Sequence, residues 1–189
     1  MQELRDRIVA DGVVIGKDVL RVDSFLNHQI DPAFTMRMGQ ELASRFAGEG
    51  ITKVLTVEAS GIAVAMAVGL ALGVPVVFAK KKKALTQEGP SYSAKIFSYT
   101  RRELTHISVT TRYICPEDTV LIVDDFLAHG EALSGLIEIV RQAGAKLAGA
   151  GIVIEKRFQH GGEELRAGGV RIEALAAITS MEPGVIHFA

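Results

Sequence analysis

Residues 120 to 133, Val-Leu-Ile-Val-Asp-Asp-Phe-Leu-Ala-His-Gly-Glu-Ala-Leu, constrain the fold of this chain more than any other stretch. An apolar run enters two adjacent carboxylates, Asp124 and Asp125. A short loop around Gly130 follows, then a helical pattern from Glu131 to Ala143 that stops at Gly144. A strand with no polar face belongs inside a parallel sheet covered by helices on both sides. Its acids then stand at the C-terminal edge, where open α/β sheets take their ligands. The loop, residues 127 to 131, presents backbone N–H groups at a helix N-terminus, an arrangement that holds phosphate without a cationic side chain. A phosphate loop beside two carboxylates predicts a phosphorylated sugar, with its hydroxyls or a Mg²⁺ ion on Asp124 and Asp125. The competing reading is a Rossmann-like strand end with incidental acids.

The flanking sequence supplies the other layers of an α/β fold. Leu4 to Asp11 is predicted helical. Asp31-Pro32 opens a second helix, with an N-cap and a proline at its first position, that stops near Gly48 and Gly50. Lys53 to Glu58 predicts a strand, Gly61 to Leu72 a helix of small residues and Val74 to Ala79 another strand, together a βαβ unit. From Lys80 to about Thr105 the pattern breaks into basic and polar residues around Gly89-Pro90, which reads as an active-site lid or a disordered segment. Ile107 to Ile114, Leu147 to Ile154 and Val170 to Ile178 are expected strands, and His160 to Ala167 a short helix. No internal repeat is visible, and one domain over residues 1–189 is expected.

Composition narrows the function classes. A chain of 189 residues that is 48% hydrophobic can bury one sizeable core. Its net charge of −1 gives no global attraction to nucleic acid or to an anionic membrane. The charged start Met1-Gln2-Glu3-Leu4-Arg5 lacks the apolar stretch of a signal peptide, and the run from Ile62 to Leu72 is too short to span a bilayer, so a cytoplasmic protein is expected. Cys115 is the only cysteine, which fits a reducing compartment; with no histidine nearby in sequence, it is expected to be an inert, partly buried thiol. The histidines show no metal spacing, and no nucleophile elbow supports a Ser/His/Asp arrangement.

The segment 120 to 133 resembles the diphosphoribosyl-binding motif of type I phosphoribosyltransferases. Its Asp-Asp-Phe-Leu-Ala stretch, followed by a small polar residue and Gly130, is most similar to the branch of that family whose acceptor base is xanthine. The resemblance continues in order through Val22-Asp23-Ser24-Phe25-Leu26-Asn27-His28-Gln29-Ile30-Asp31-Pro32, Gly73-Val74-Pro75-Val76-Val77-Phe78-Ala79 and Gly151-Ile152-Val153-Ile154-Glu155-Lys156. It implies a central, mainly parallel sheet flanked by helices, a flexible lid over about residues 80–105, and a small base-binding hood from about residues 1–30 plus C-terminal residues. The implied chemistry is purine salvage: a purine nitrogen displaces diphosphate from 5-phosphoribosyl 1-diphosphate, and xanthine gives xanthosine 5-monophosphate. Mg²⁺ entering with the diphosphate and a homodimer are also implied.

Residue by residue, the resemblance makes Asp124 and Asp125 catalytic. It puts the donor's phosphate on Ala128, His129, Gly130, Glu131 and Ala132, and its diphosphate on Glu58, Ala59, Ser60 and Gly61, a loop in which the family often holds a non-proline cis peptide. Ser60-Gly61 alone is equally good helix capping. Lys80 and Lys81 open a run of four lysines that would neutralise diphosphate from the lid, or that is solvated surface. Leu20, Asn27 and Lys156 are the implied base contacts. Phe158 offers a ring for stacking beside Lys156, though it reads equally as core, and Asn27 reads equally as a turn former.

The chain departs from the common family pattern at His129-Gly130-Glu131, where many members carry Thr-Gly-Thr. The hydroxyls that bind the 5-phosphate are therefore absent, and Glu131, an anion at a phosphate site, is expected to point away. Two other classes stay open. A non-catalytic, purine-sensing regulator on this fold would normally add a DNA-binding segment, and a redox domain would show a Gly-x-Gly-x-x-Gly turn that this chain lacks. Among enzymes, specificity for adenine, guanine, hypoxanthine or orotate is the alternative.

Overall fold

A computed structural model of the chain describes residues 1–81, 89–98 and 103–189. The N-terminal part consists of α1 (Gln2–Asp11), a small antiparallel hairpin of β1 (Val13–Ile15) and β2 (Val19–Arg21), a π-helical turn (Asp23–Asn27) and α2 (Pro32–Arg45). Helix α2 begins as its sequence dictates: the Asp31 side chain accepts a hydrogen bond from Phe34 N at 3.0 Å, and Pro32 occupies the first turn, where its missing N–H costs nothing.

Next come β3 (Lys53–Val57), α3 (Gly61–Leu72) and β4 (Val76–Ala79), then an antiparallel hairpin of β5 (Ser91–Ser98) and β6 (Glu103–Thr110). The second half of the main sheet follows as β7 (Thr119–Leu127), α4 (Glu131–Gln142), β8 (Lys146–Lys156), α5 (Gly161–Ala167), β9 (Ile172–Glu182) and β10 (Val185–Phe188). The sheet runs β4-β3-β7-β8-β9-β10 and is parallel except for β10. From β3 the chain winds outward to β4, and from β7 it winds the other way to β8 and β9. The winding therefore reverses between β3 and β7, which opens a crevice at the C-terminal ends of those two strands.

Alternation along β7 builds a core on each face. Leu121 and Val123 pack with α1, α2 and α3 residues such as Leu4, Phe34, Met38 and Val64. Val120 and Ile122 pack with α4 and the hairpin through Leu136, Ile139, Ile96 and Ile107. Each fully buried aliphatic side chain of this kind contributes about 1.5–3 kcal/mol, so β7 is held from both sides.

Several expectations need correction. Residues 91–98 are not irregular; they form a strand whose Tyr92, Ala94 and Ile96 face the core while Ser93 and Lys95 face out. The strand expected at Ile107 to Ile114 begins at Glu103 and gives way to a 3₁₀ turn at Thr111. Strand β7, expected over residues 120 to 124, runs on to Leu127, so Asp125 lies within it as well as Asp124. The β1–β2 hairpin, the π-helical turn and β10 were not predicted. Cys115 is exposed, not partly buried; Glu117 and Asp118 beside it hold its thiol pKa above the ordinary value. Among the described residues, no helix is long and apolar enough to cross a membrane. Lys82, Lys83, Arg101 and Arg102 lie outside the described residues.

Candidate active site

The ladder between β3 and β7 ends at Leu55 opposite Ile122, and β7 then continues beside the loop that joins β3 to α3. Asp124 and Asp125 sit on this extension, 5% and 6% exposed. Burial, reinforced by the charge of Asp125, raises the pKa of Asp124 well above the usual carboxylate range; the Asp125 amide and Lys81 oppose the shift. The Asp125 amide donates to Asp124 Oδ1 at 3.0 Å.

Both oxygens of Asp125 receive donors from distant elements. Asn27 Nδ2 donates to Oδ2 at 2.6 Å and Ser60 Oγ to Oδ1 at 3.1 Å. Ser60 stands at the N-cap of α3, yet its side chain makes no capping bond there, so the capping reading of this serine fails. The peptide between Glu58 and Ala59 is cis. Glu58 Oε1 accepts from the Lys81 amide at 2.6 Å, tying the loop to the end of β4. Gly61 is where the loop rests on the acids: a Cβ there would lie 2.3 Å from Thr56 Oγ1 and 2.7 Å from Asp124 Oδ1.

On the far side of the acids, Gly130 caps α4 with φ 85°, a left-handed conformation that glycine adopts without strain. The first amides of a helix have no partner within it, so α4 turns its positive end toward the cleft. One cleft is lined by Glu58, Ser60, Lys81, Asp124, Asp125, Phe126 and residues 128–133, with Ile96, Phe97 and Thr105 of the hairpin as a side wall. Glu131, expected to turn away, is among its lining residues.

The expected base contacts are placed differently. Asn27 reaches the cleft through Asp125. Lys156 Nζ donates to the Asp18 carbonyl at 2.6 Å and lies 5.4 Å from the centre of the Phe126 ring. Burial lowers the pKa of Lys156, partly offset by Asp18. Leu20 is buried, 6% exposed, and Phe158 packs against the α1–α2 core. Two aromatic residues line the cleft, Phe97 on the hairpin and Phe126, which directly follows the acids; neither was among the expected site residues. Ala59 is exposed at the loop's tip, and Lys80 joins β4 to β6 by paired backbone bonds with Ser108 at 2.9 and 3.0 Å.

A sheet whose winding reverses at paired acids, with a helix start and a second loop turned to the same crevice, defines a type I phosphoribosyltransferase fold. The model of the phosphoribosyl transferase domain matches residues 15–172, and the chain belongs to this family. It is 68% identical over 189 residues to a xanthine phosphoribosyltransferase of Heliobacterium modesticaldum, which it covers fully, as that protein covers it. It is 59% identical to the xanthine phosphoribosyltransferase of Brevibacillus brevis, over 100% of this chain and 96% of that one. Among solved structures, adenine phosphoribosyltransferase from Giardia lamblia in complex with 9-deazaadenine shares the fold, with a TM-score of 0.75 at 23% identity over 92% of this chain and 97% of that one.

Proposed function

We propose that this chain transfers the 5-phosphoribosyl group from 5-phosphoribosyl 1-diphosphate to xanthine, yielding xanthosine 5-monophosphate and diphosphate, a step of purine salvage. The observation that carries the reading is its full-length identity of 68% to a protein of that name. The cleft's chemistry agrees with it.

Departure of diphosphate leaves positive charge on the ribose, and carboxylates beside that centre stabilise it. In this reading Asp124 and Asp125 orient the ribose hydroxyls, residues 128–132 hold the 5-phosphate, and Glu58, Ala59, Ser60 and Gly61 hold the diphosphate. Lys80 and Lys81 add positive charge from a lid that includes the hairpin wall. Xanthine is acidic for a purine, and the ammonium of Lys156 favours its anionic, more nucleophilic form, so no separate base is required. Asn27 and Leu20 complete the base site within a hood built from the N-terminal segment and the chain's last residues; Phe126 and Phe158 are the rings available for stacking.

The donor set fits Mg²⁺, because Asp124, Asp125 and Glu58 offer oxygen only. Among the described residues there is no group of three or more His, Cys, Asp or Glu side chains able to hold a metal. These acids would therefore share an ion that arrives with the donor, whose chemical contribution is neutralisation of the leaving diphosphate.

A homodimer belongs to the same reading. Met66 and Leu70 of α3 are 60% and 69% exposed, and Phe78 on the edge strand β4 is 41% exposed, which leaves an apolar face for a second copy. Cytoplasmic placement rests on the lone cysteine. The test is stoichiometric: the chain with Mg²⁺, donor and xanthine yields xanthosine 5-monophosphate and diphosphate in equal amounts. No nucleotide product sinks the reading.

A further inference from the structure

The helix α5 is wedged between the loop of residues 128–130 and the end of β8. A Cβ on Gly161 would lie 2.3 Å from the carbonyl carbon of His129 and 2.5 Å from both Ala128 O and Gly130 N. The first residue of the helix therefore rests directly on that loop's backbone, and backbone cannot swing aside as a side-chain tip does. From the opposite side, a Cβ on Gly162 would lie 2.1 Å from Glu155 Oε1. Glu155 is 1% exposed, and Arg166 of α5 grips it with two prongs, at 2.5 and 2.9 Å.

Neither charged partner lines the cleft that holds Asp124 and Asp125. Such a pair, with Glu155 buried and Arg166 33% exposed, is weak evidence for added stability, since desolvation of the carboxylate offsets much of the attraction. What a two-pronged guanidinium–carboxylate pair does fix is geometry. We propose that Glu155 and Arg166 are positioning residues for donor binding. By setting the height of α5 against β8, they hold Gly161 against residues 128–130 and thereby fix the backbone that grips the 5-phosphate. The proposal rests on the reading that this loop binds the donor's phosphate. It also accounts for two successive glycines at the start of α5, where each small residue meets a rigid neighbour.

Arg166→Met alone leaves the buried Glu155 carboxylate with Arg157, 3.5 Å away, as its remaining charged partner and endangers folding. The informative variants are Gly161→Ala, whose Cβ forces the loop and helix apart, and the double variant Glu155→Met with Arg166→Met, which removes both charges and keeps an apolar fill. Calorimetric titration with 5-phosphoribosyl 1-diphosphate and Mg²⁺, together with steady-state kinetics, reads the effect. The double variant is expected to melt as the wild type within a few degrees, and Gly161→Ala, which must displace backbone, to melt lower while still unfolding in one cooperative step. Their donor Kd and KM are expected to rise about tenfold or more, because small misplacements of a binding group are costly, while the xanthine KM changes by less than about twofold. Donor affinity unchanged in either variant, or donor and xanthine constants shifting together, overturns the inference and leaves the pair structural. Failure of the wild type to bind donor overturns the functional reading and the inference with it. If the double variant does not fold, Arg166→Lys, which keeps the charge and loses the two-pronged geometry, takes its place with the same expected outcomes.

Discussion

Asn27 Nδ2 lies 2.6 Å from Asp125 Oδ2, a hydrogen bond that joins the N-terminal segment to an acid 98 positions further along the chain. Ser60 donates to the other oxygen of the same carboxylate. One buried group is thus shared by the three segments assigned to base, ribose and diphosphate, so perturbing one is felt at the others. Asn27→Ala is expected to raise the KM of the donor as well as that of xanthine. A double-mutant cycle with Asp125→Asn is expected to show a coupling on the order of 1 kcal/mol. Additive effects, with donor KM unmoved in Asn27→Ala, would mean that the contact transmits nothing.

The acids themselves are expected to matter for turnover and not for folding. Asp124 is buried beside a second carboxylate that raises its pKa, so Asp124→Asn removes repulsion as well as charge. We expect melting temperatures in Asp124→Asn and Asp125→Asn at or above that of the wild type. Each is expected to lose about tenfold or more in kcat/KM for transfer. Wild-type turnover in both would remove the acids from the mechanism.

At the opposite end of the sheet, Asp118 sets an acid limit on stability. Burial opposes its ionised form, but the Cys115 amide, Lys53 Nζ and Thr52 Oγ1 all donate to it, at 2.9, 3.0 and 2.8 Å, and the net pKa falls to about 2. A folded-state pKa below the unfolded one contributes stability that is fully present above the unfolded value and lost as pH falls through the folded one. The loss from this group is therefore expected between about pH 4 and pH 2, and to amount to roughly 1–2 kcal/mol. Denaturant titrations across that range would detect it, and Asp118→Asn would lack this component. Identical slopes of stability against pH in both proteins would contradict the assignment.

Lys156 is the group through which acceptor preference is expected to act. Its ammonium already donates to the Asp18 carbonyl, and an ammonium has three N–H bonds, so a base can be added without breaking that contact. Lys156→Met is expected to lower xanthine turnover more than hypoxanthine turnover, since only xanthine gains from a charge that favours its anion. The ratio of the two kcat/KM values in the variant measures this. Equal losses for both bases would make Lys156 a general support for the hood.

Much of this architecture is legible in the sequence where burial is two-sided. Strand β7 shows as an unbroken apolar run ending in acids, and α2 announces itself by Asp31-Pro32. Strand β5 and the first half of β6 are not anticipated, although Tyr92, Ala94 and Ile96 alternate with polar residues as a half-buried strand requires; the lysine run and Gly89-Pro90 beside them dominate the local pattern. Strands β1 and β2 span three residues each, too few for any period to show. The site was half legible. Asp124, Asp125 and Gly130 are adjacent in sequence, but the meeting of Asn27 and Ser60 on Asp125 depends on the winding of the whole sheet. So does the pressing of Gly161 onto residues 128–130, and no local spacing encodes either.

The most direct test of the central claim is kcat/KM of the wild-type chain, with 5-phosphoribosyl 1-diphosphate and Mg²⁺, for xanthine, hypoxanthine, guanine, adenine and orotate measured side by side. Xanthine is expected to exceed each of the others by at least about tenfold, the scale of one well-placed polar contact. A higher value for guanine, hypoxanthine, adenine or orotate would contradict the xanthine assignment while leaving phosphoribosyl transfer in place, and no transfer to any base would contradict the account as a whole.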